Sequence, residues 1–412
     1  MSKRSRIAWV VGLGLLFLVA GCAGQLQQVK GEMRLQNQQY AEAIPFFQEA
    51  VTANPGNCMA RAKLGFALYK TGQIDPAIVE FKKVLEIKPG EPLATLYLGM
   101  AYASKEEIGK AIEVWKGYTN PDQPLVQAEI RRQLTLVQIA HSHKLSQAAL
   151  AQEAALGARP ASPNSVAVCY FADLTSDKRL GAFQKGLAAM VISDLGKVKS
   201  IKVIERVQLQ ALLSEMRLGQ TGIVDPKTAP RVGRLLGAEK LMVGSLASGS
   251  IQAAMSLSSS TRSAVLGSTQ LSVATEEFFS LPAGLIKAMA DIAGIVLSPA
   301  EVAAIGIPHT KSLKAFTYYG QALEAMDVGD YKKAKDLFDM ALREDPQFQL
   351  AREGSESCPG ADAPGGRELA SMPLAQLVSH VDASVRQAEA DQAAADAAAA
   401  SVEAEAQGGG GY

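Results

Sequence analysis

Cys22 is the residue whose type and position most clearly indicate chemistry. Its thiol follows the small pair Ala20-Gly21 and an apolar run over residues 7–20, and basic residues precede that run. A run of this length is too short for a transmembrane helix, which needs about 20 residues. A basic head, an apolar stretch and small residues, in that order, are typical of an export signal. The sequence therefore predicts a signal peptide over residues 1–21, cleaved before Cys22.

The residues from Val19 to Cys22 resemble the lipobox of bacterial lipoproteins. The resemblance implies that the thiol of Cys22 carries diacylglycerol. Several acyl chains anchor a protein firmly, since each buried methylene contributes about 0.8 kcal/mol. Ala23 is not the aspartate associated with retention in the inner membrane, so we expect a lipid anchor in the outer membrane and a chain facing the periplasm. The alternative is an ordinary signal peptide or short anchor helix with an incidental cysteine.

Other candidate reactive groups lack the partners that chemistry would require. Glu205 and Arg206 could act as an acid beside an electrophile, but no nucleophile or second carboxylate accompanies them. His141 and His143 are two residues apart on a predicted helix, so their rings do not face each other. Residues 233–237 lack the Lys-Ser/Thr ending of a phosphate loop. We therefore predict no enzyme, no metal and no cofactor.

Charge and cysteine content restrict the classes of partner. The chain has 41 basic and 41 acidic residues, and removal of the signal, which holds three basic ones, leaves a net charge near −3. No basic cluster remains, which excludes nucleic acid as a partner. Cys58, Cys169 and Cys358 remain beside Cys22. Cys169 lies in an apolar run and is predicted to be a small core residue, and nothing in the sequence favours a disulfide between Cys58 and Cys358.

A repeat of 34 residues begins directly after the signal. It resembles the tetratricopeptide repeat (TPR), in which small residues stand where helix A meets helix B and an aromatic residue fills the seam between them. We predict three such units over residues 22–123, forming a short solenoid that binds protein partners. The repeating positions are Gly31, Gly65 and Gly99, then Ala43, Ala77 and Ala111, then Phe47, Phe81 and Trp115, with Ala50 in the first unit.

One further unit of the same kind lies far downstream, within residues 301–351. It has small residues and an aromatic residue at the corresponding offsets. These positions are Ala322, Ala334, Phe338 and Ala341.

The remaining segments differ in composition and periodicity. Residues 124–162 are predicted to be a helical cap and a proline-containing linker. Residues 163–300 alternate apolar strand-like runs with helical spacing, which predicts a mixed α/β domain. Residues 352–412 form a low-complexity acidic and alanine-rich tail. The predicted fold class is α+β multidomain: an all-α TPR solenoid, a mixed α/β domain, one further TPR unit and the tail.

The α/β segment resembles the CsgG/HfaB family of envelope lipoproteins. The resemblance implies an outer-membrane lipoprotein and agrees with the interpretation of Cys22. We interpret its glycines as structural, and Gly237 as the residue that ends a helix before a strand. The matching residues are 166–168, 203–206, Leu209, Leu213, 218–222, Gly233, 236–238 and 243–245.

A secretion pore is the alternative that the resemblance raises. The curli-secreting relative adds two membrane-spanning hairpins per subunit, and membrane strands of about 9–11 residues would require roughly forty residues for them. Residues 241–279 number 39 and must also supply the soluble sheet. Length therefore favours a soluble sheet, and the serines and threonines at 256, 258, 260, 261 and 269 suit a face exposed to water.

The sequence thus predicts an outer-membrane-anchored periplasmic scaffold or adaptor lipoprotein that acts in envelope assembly or secretion. It would bind proteins through its TPR helices and its CsgG-like domain, contact the membrane through lipid, and bind no nucleic acid. The alternative is a subunit of a CsgG-like outer-membrane secretion pore. Homo-oligomerisation and the identity of the partner are left open.

Overall fold

The computed structural model describes residues 24–120, 122–153, 161–177, 180–217, 224–225, 227–247, 251–361 and 363–372, with single positions between 376 and 397. The predicted signal, Cys22, the glycines at 219 and 222 and most of the tail lie outside the described residues. The described residues form two compact units, the first within residues 24–134 and the second within residues 135–372. Among the described helices, none has the length and apolar character needed to cross a membrane.

The first unit is built from consecutive helices that pack against one another, as expected for stacked repeats. Each helix contacts the next from α2 to α6, and α3 also contacts α5. The helices are α1 (24–36), α2 (Tyr40–Ala53), α3 (Cys58–Lys70), α4 (Ile74–Ile87), α5 (Pro92–Ser104), α6 (Ile108–Lys116) and α7 (Pro124–Ala151), the last of which continues into the second unit.

Side-chain caps fix where two of these helices begin. The Asn57 side chain accepts a hydrogen bond from the backbone N–H of Ala60 at 3.0 Å, and that of Glu91 accepts one from Ala94 at 2.7 Å. Each bond satisfies a backbone donor that has no partner within the helix. Pro92 occupies the first turn of α5, where its missing N–H costs nothing. The first residues of α3 and α5 are therefore determined locally by sequence.

The second unit contains a five-stranded sheet in the order β2-β1-β3-β4-β5. Strand β1 is parallel to β2 and β3, whereas β3, β4 and β5 form an antiparallel meander. Helices connect the parallel strands, as such crossovers require. The elements are β1 (Ser162–Asp173), α8 (Gly181–Leu195), β2 (Lys202–Val203), α9 (Arg206–Glu215), α10 (Ala229–Leu236), β3 (Ala238–Ala247), β4 (Ile251–Ser259), β5 (Ala264–Val273), a 3-10 turn (Thr275–Ser280) and α11 (Leu281–Ala293).

Helices cover both faces of β1. Every residue from Ser165 to Phe171 is buried, which requires cover on both sides of the strand. Helices α8 and α9 both contact β1, and α8 also contacts α11 while α9 also contacts α10. Helix α10 ends at Gly237, whose φ of 69° is the left-handed conformation that glycine adopts without strain. The prediction that Gly237 ends a helix is confirmed.

The serines at the end of β4 are not exposed, contrary to the expectation from sequence. Ser258 and Ser260 are both buried. The Ser260 hydroxyl donates to the carbonyl oxygen of Ala238, at the start of β3. Helix α10 lies directly above, because a Cβ placed on Gly233 would be 2.8 Å from the Cβ of Ser260. The expected water-facing surface is therefore wrong at these two positions, and α10 covers Ser260.

A C-terminal group of helices packs against α8 within the second unit. Its elements are α12 (Pro299–Ile305), α13 (Leu313–Val328), α14 (Tyr331–Glu344), α15 (Gln349–Ser357) and α16 (Gly366–Ser371). A Cβ on Gly320 of α13 would lie 1.8 Å from the backbone oxygen of Ala182, and a Cβ on Gly186 would lie 2.7 Å from Phe316. The helix backbones therefore approach closely. A fragment over residues 163–300 alone would expose the surface of α8 that α13 covers.

Candidate functional site

The glycines at 34-residue spacing face the aromatic residue of the next helix. At each, the added Cβ would come within 3 Å of the ring, so only glycine leaves room for it. The pairs are Gly31 with Phe47, Gly65 with Phe81, and Gly99 with Trp115. The alanines at 43, 50, 77 and 111 are completely buried. Trp115 is held further by a hydrogen bond from its Nε1 to the carbonyl oxygen of Leu96, at 3.2 Å.

The downstream unit uses a related arrangement in α13 and α14. Ala322, Ala334 and Ala341 are completely buried, and Phe338 is nearly so. A Cβ on Gly354 of α15 would lie 2.5 Å from the Phe338 ring. The sequence interpretation missed Gly354, which packs on Phe338 from the helix after the repeat.

One surface of the first unit carries a row of aromatic side chains, which we call the aromatic stripe: Tyr40, Phe66 and Tyr69, the last two packed on the buried ring of Tyr97. The ring centroids of Tyr40 and Phe66 are 5.8 Å apart, and the centroid of Tyr97 lies 4.8 Å from that of Phe66 and 5.4 Å from that of Tyr69. The three residues of the stripe are half-buried, and the ammonium group of Lys70 lies 5.5 Å from the centroid of Phe66. Aromatic rings with a polar edge contribute large contact area at protein interfaces. This stripe can therefore bind apolar and anionic side chains of another protein.

The second unit contains a buried charge cluster formed by Tyr170, Lys185, Arg206 and Asp327. The carboxylate of Asp327 has only 3% of its side chain exposed and accepts contacts from three elements. The Lys185 Nζ lies 2.9 Å from Oδ2, Arg206 Nη1 donates to Oδ1, and the Tyr170 hydroxyl donates to Oδ2 at 3.3 Å. Two cations thus share one carboxylate, which leaves the cluster with one excess positive charge.

Protonation of the cluster follows from these contacts. Burial opposes the charge on Arg206, but the attraction of Asp327 outweighs it and raises the pKa of the guanidinium. Burial, reinforced by the negative charge of Asp327, also raises the pKa of Tyr170. Arg206 therefore remains a cation and Tyr170 remains a hydrogen-bond donor at neutral pH.

Sequence reasoning singled out Glu205 and Arg206 but not the partner of the arginine. Glu205 is exposed at the residue before α9, while Arg206 pairs with Asp327, which is 121 positions away. No local spacing connects Asp327 or Lys185 with Arg206. The only signal was the placement of single charges within apolar helical faces, and that signal does not identify a partner.

A cavity of about 890 Å³ lies beside the charge cluster, between α7, α9 and the α13–α14 pair. Arg206 and Asp327 form part of its wall, together with Ile139, Val207 and Tyr331. His143 also lines the cavity, and its Nδ1 lies 2.8 Å from Glu215.

The described residues contain no cluster of three or more side chains suited to a metal ion. Cys58, Cys169 and Cys358 form no disulfide with one another, and burial raises the pKa of Cys169.

Comparison with protein families finds one match near the N-terminus and one in the middle of the chain. The family model described as curli production assembly/transport component CsgG matches residues 147–254, and a tetratricopeptide-repeat model matches residues 34–94. The chain combines a TPR region with a CsgG-like domain. Both resemblances and the fold class predicted from sequence are therefore confirmed. The CsgG match includes Tyr170, Lys185 and Arg206 of the charge cluster, whereas Asp327 lies outside it.

Comparisons with whole proteins do not identify a relative that would define the function of this chain. None of the curated proteins searched matches the chain. Among solved structures, yeast Tom70 is 16% identical with a TM-score of 0.26, over 81% of this chain and 67% of that one.

Proposed function

We propose that this protein is an outer-membrane-anchored periplasmic scaffold or adaptor lipoprotein and not an enzyme. Its TPR region recruits a protein partner, its CsgG domain acts in envelope assembly or secretion, and lipid on Cys22 holds the chain at the membrane. The observation that carries the proposal is the aromatic stripe, half-buried on stacked repeats whose seams are closely packed. A rigid surface of this kind binds partners without a large loss of conformational entropy.

The antiparallel strands of the second unit support the adaptor over the pore. Strands β3, β4 and β5 pair along most of their length, and α11 contacts both β4 and β5. In this structure these strands belong to a sheet against which α11 packs. The CsgG match favours a pore subunit as the second candidate, because the matched family is described as an assembly and transport component.

The stripe can be tested by partner capture from detergent-solubilised envelopes. Tyr69→Ala should reduce the recovery of a partner bound by the unaltered chain at least tenfold, because truncating an aromatic hot spot typically costs about 2 kcal/mol or more. Val79→Ala, at an exposed position of α4, is the matched control and should not change recovery. Equal recovery with both variants would contradict the role of the stripe. Ion conduction by the purified chain in planar bilayers would favour the pore.

The lipid anchor predicts that Cys22→Ser abolishes acylation, because serine lacks the thiol that accepts the lipid. Labelled palmitate incorporated in living cells should fall to background, and the protein should leave the membrane fraction. Cys58→Ser changes a half-buried thiol of α3 and should leave labelling unchanged. Undiminished labelling of the Cys22→Ser chain would show that Cys22 is not the acylated residue.

A further inference from the structure

The cavity beside the charge cluster has the properties of a site for a small molecule. Its volume of about 890 Å³ lies within the range of about 300–1,000 Å³ typical of ligand pockets. Its walls come from four helical segments of the second unit, α7, α9, the α13–α14 pair and the start of α16, so the site does not depend on a single loop. Ile139, Val207 and Met326 supply apolar surface, while Gln138 and Gln210 supply polar groups.

The charge facing the cavity is positive at one defined point. Arg206 lines the cavity with 19% of its side chain exposed. Its bonds to Tyr170 and Asp327 both use Nη1, so Nε and Nη2 make no hydrogen bond to the described residues. A guanidinium has five N–H donors in a planar fork, and most of them therefore remain available.

The other charged groups around the cavity do not cancel this charge. Asp327 is already neutralised by Lys185, which lies behind it and outside the cavity wall. Arg217 and Glu368 are both exposed and carry opposite charges. The carboxylate of Glu215 contacts Nδ1 of His143 and is not part of the cavity wall. The fork of Arg206 is therefore the group that an anion entering the cavity would meet.

We propose that this cavity binds a small monocarboxylate with an apolar body, its carboxylate on the guanidinium of Arg206. A planar carboxylate matches the arginine fork, and charge-assisted bonds of this kind are the strong ones. The single excess charge of the cluster suits a monoanion better than a doubly charged phosphate. The apolar side chains of α7, α9 and α13 contact the body of the ligand. The site needs no protein partner, so it is independent of the adaptor function.

Calorimetric titration of the purified full chain tests this site with octanoate, its neutral analogue octanamide, and N-acetyl-leucine. We expect octanoate or N-acetyl-leucine to bind at least tenfold more tightly than octanamide. Tighter binding of octanoate indicates a fatty carboxylate, and tighter binding of N-acetyl-leucine indicates a peptide-type one. A chain that binds none of the three, or binds octanamide as tightly as the carboxylates, would refute the proposal.

Arg206→Gln should remove the tenfold preference while the affinity for octanamide changes less than twofold. The variant leaves Lys185 and Asp327 as a balanced pair, so the buried charges remain compensated. Arg262→Gln alters an exposed arginine outside the cavity wall and should bind all three probes as the unaltered chain does. A preference that survives in Arg206→Gln, or disappears equally in Arg262→Gln, would overturn the assignment.

Val207→Trp provides a second test that keeps Arg206 in place. The indole would fill the space beside the guanidinium, so binding of both the carboxylates and octanamide should fall at least tenfold. Circular dichroism verifies that each variant is folded. If Arg206→Gln does not fold, unchanged carboxylate binding by Val207→Trp is sufficient to reject the cavity as the site.

Discussion

Asp327→Asn is expected to lower the free energy of unfolding of the second unit by about 3–5 kcal/mol. The substitution removes the one carboxylate that compensates both Lys185 and Arg206, which are themselves largely buried. Two cations would then remain in the interior without a counter-charge. The neutral amide can still accept a hydrogen bond, but it cannot offset the cost of burying those charges.

Urea unfolding followed by two optical signals shows whether the second unit is the one that loses stability. The chain has two tryptophans, Trp9 in the predicted signal and Trp115 in the first unit. Tryptophan fluorescence of the cleaved chain therefore reports on the first unit, and circular dichroism reports on both. Asp327→Asn should move the circular dichroism transition and leave the fluorescence transition in place.

Asp336→Asn is the matched control for this prediction. Asp336 lies on α14 and is exposed, so its neutralisation should change the free energy of unfolding by less than about 0.5 kcal/mol. If both variants lost the same stability, net charge rather than the buried cluster would be the cause.

Gly320→Ala is expected to destabilise the second unit by about 1–3 kcal/mol or more, through overpacking. The added methyl group would lie 1.8 Å from the backbone oxygen of Ala182, and neither helix backbone can move away without disturbing its other contacts. The same urea titration by circular dichroism measures the loss. Replacing glycine by alanine within a helix usually stabilises the protein, because alanine favours helix over glycine by about 1 kcal/mol.

Gly181→Ala serves as the control on the facing helix. No described atom lies within 4 Å of a Cβ placed on Gly181, so the substitution should be neutral or slightly stabilising. An unfolding midpoint for Gly320→Ala equal to that of Gly181→Ala would contradict the close approach of α8 and α13.

Much of the fold could be predicted because its causes are local. The spacing of Gly31, Gly65 and Gly99 reflects one contact that recurs in each repeat, so periodicity alone identified the helix pairs. The continuous apolar run around Cys169 predicted a buried core residue, and Cys169 is completely buried in β1. Gly237 ends a helix because its backbone adopts the left-handed conformation, which glycine accepts without strain.

The remaining features depend on contacts that no short segment contains. Arg206 was noticed as part of a family motif, but Asp327 comes from a helix beyond the family match, so their pairing required the tertiary structure. Ser258 and Ser260 have the alternating pattern of a half-exposed strand, yet both are buried, and α10 packs on Ser260. Polarity predicts exposure only where no other element packs above the strand.

The contact between α8 and α13 also determines the order in which the second unit can be completed. Ala182 and Gly320 are 138 positions apart in the chain. A ribosome adds about 5–20 residues per second, so roughly 7–28 s separate the synthesis of the two contact residues. During that time the apolar surface of α8 must be shielded by something other than α13. A chain terminated before residue 313 would keep that surface exposed permanently, which makes truncated products targets for chaperones and proteases.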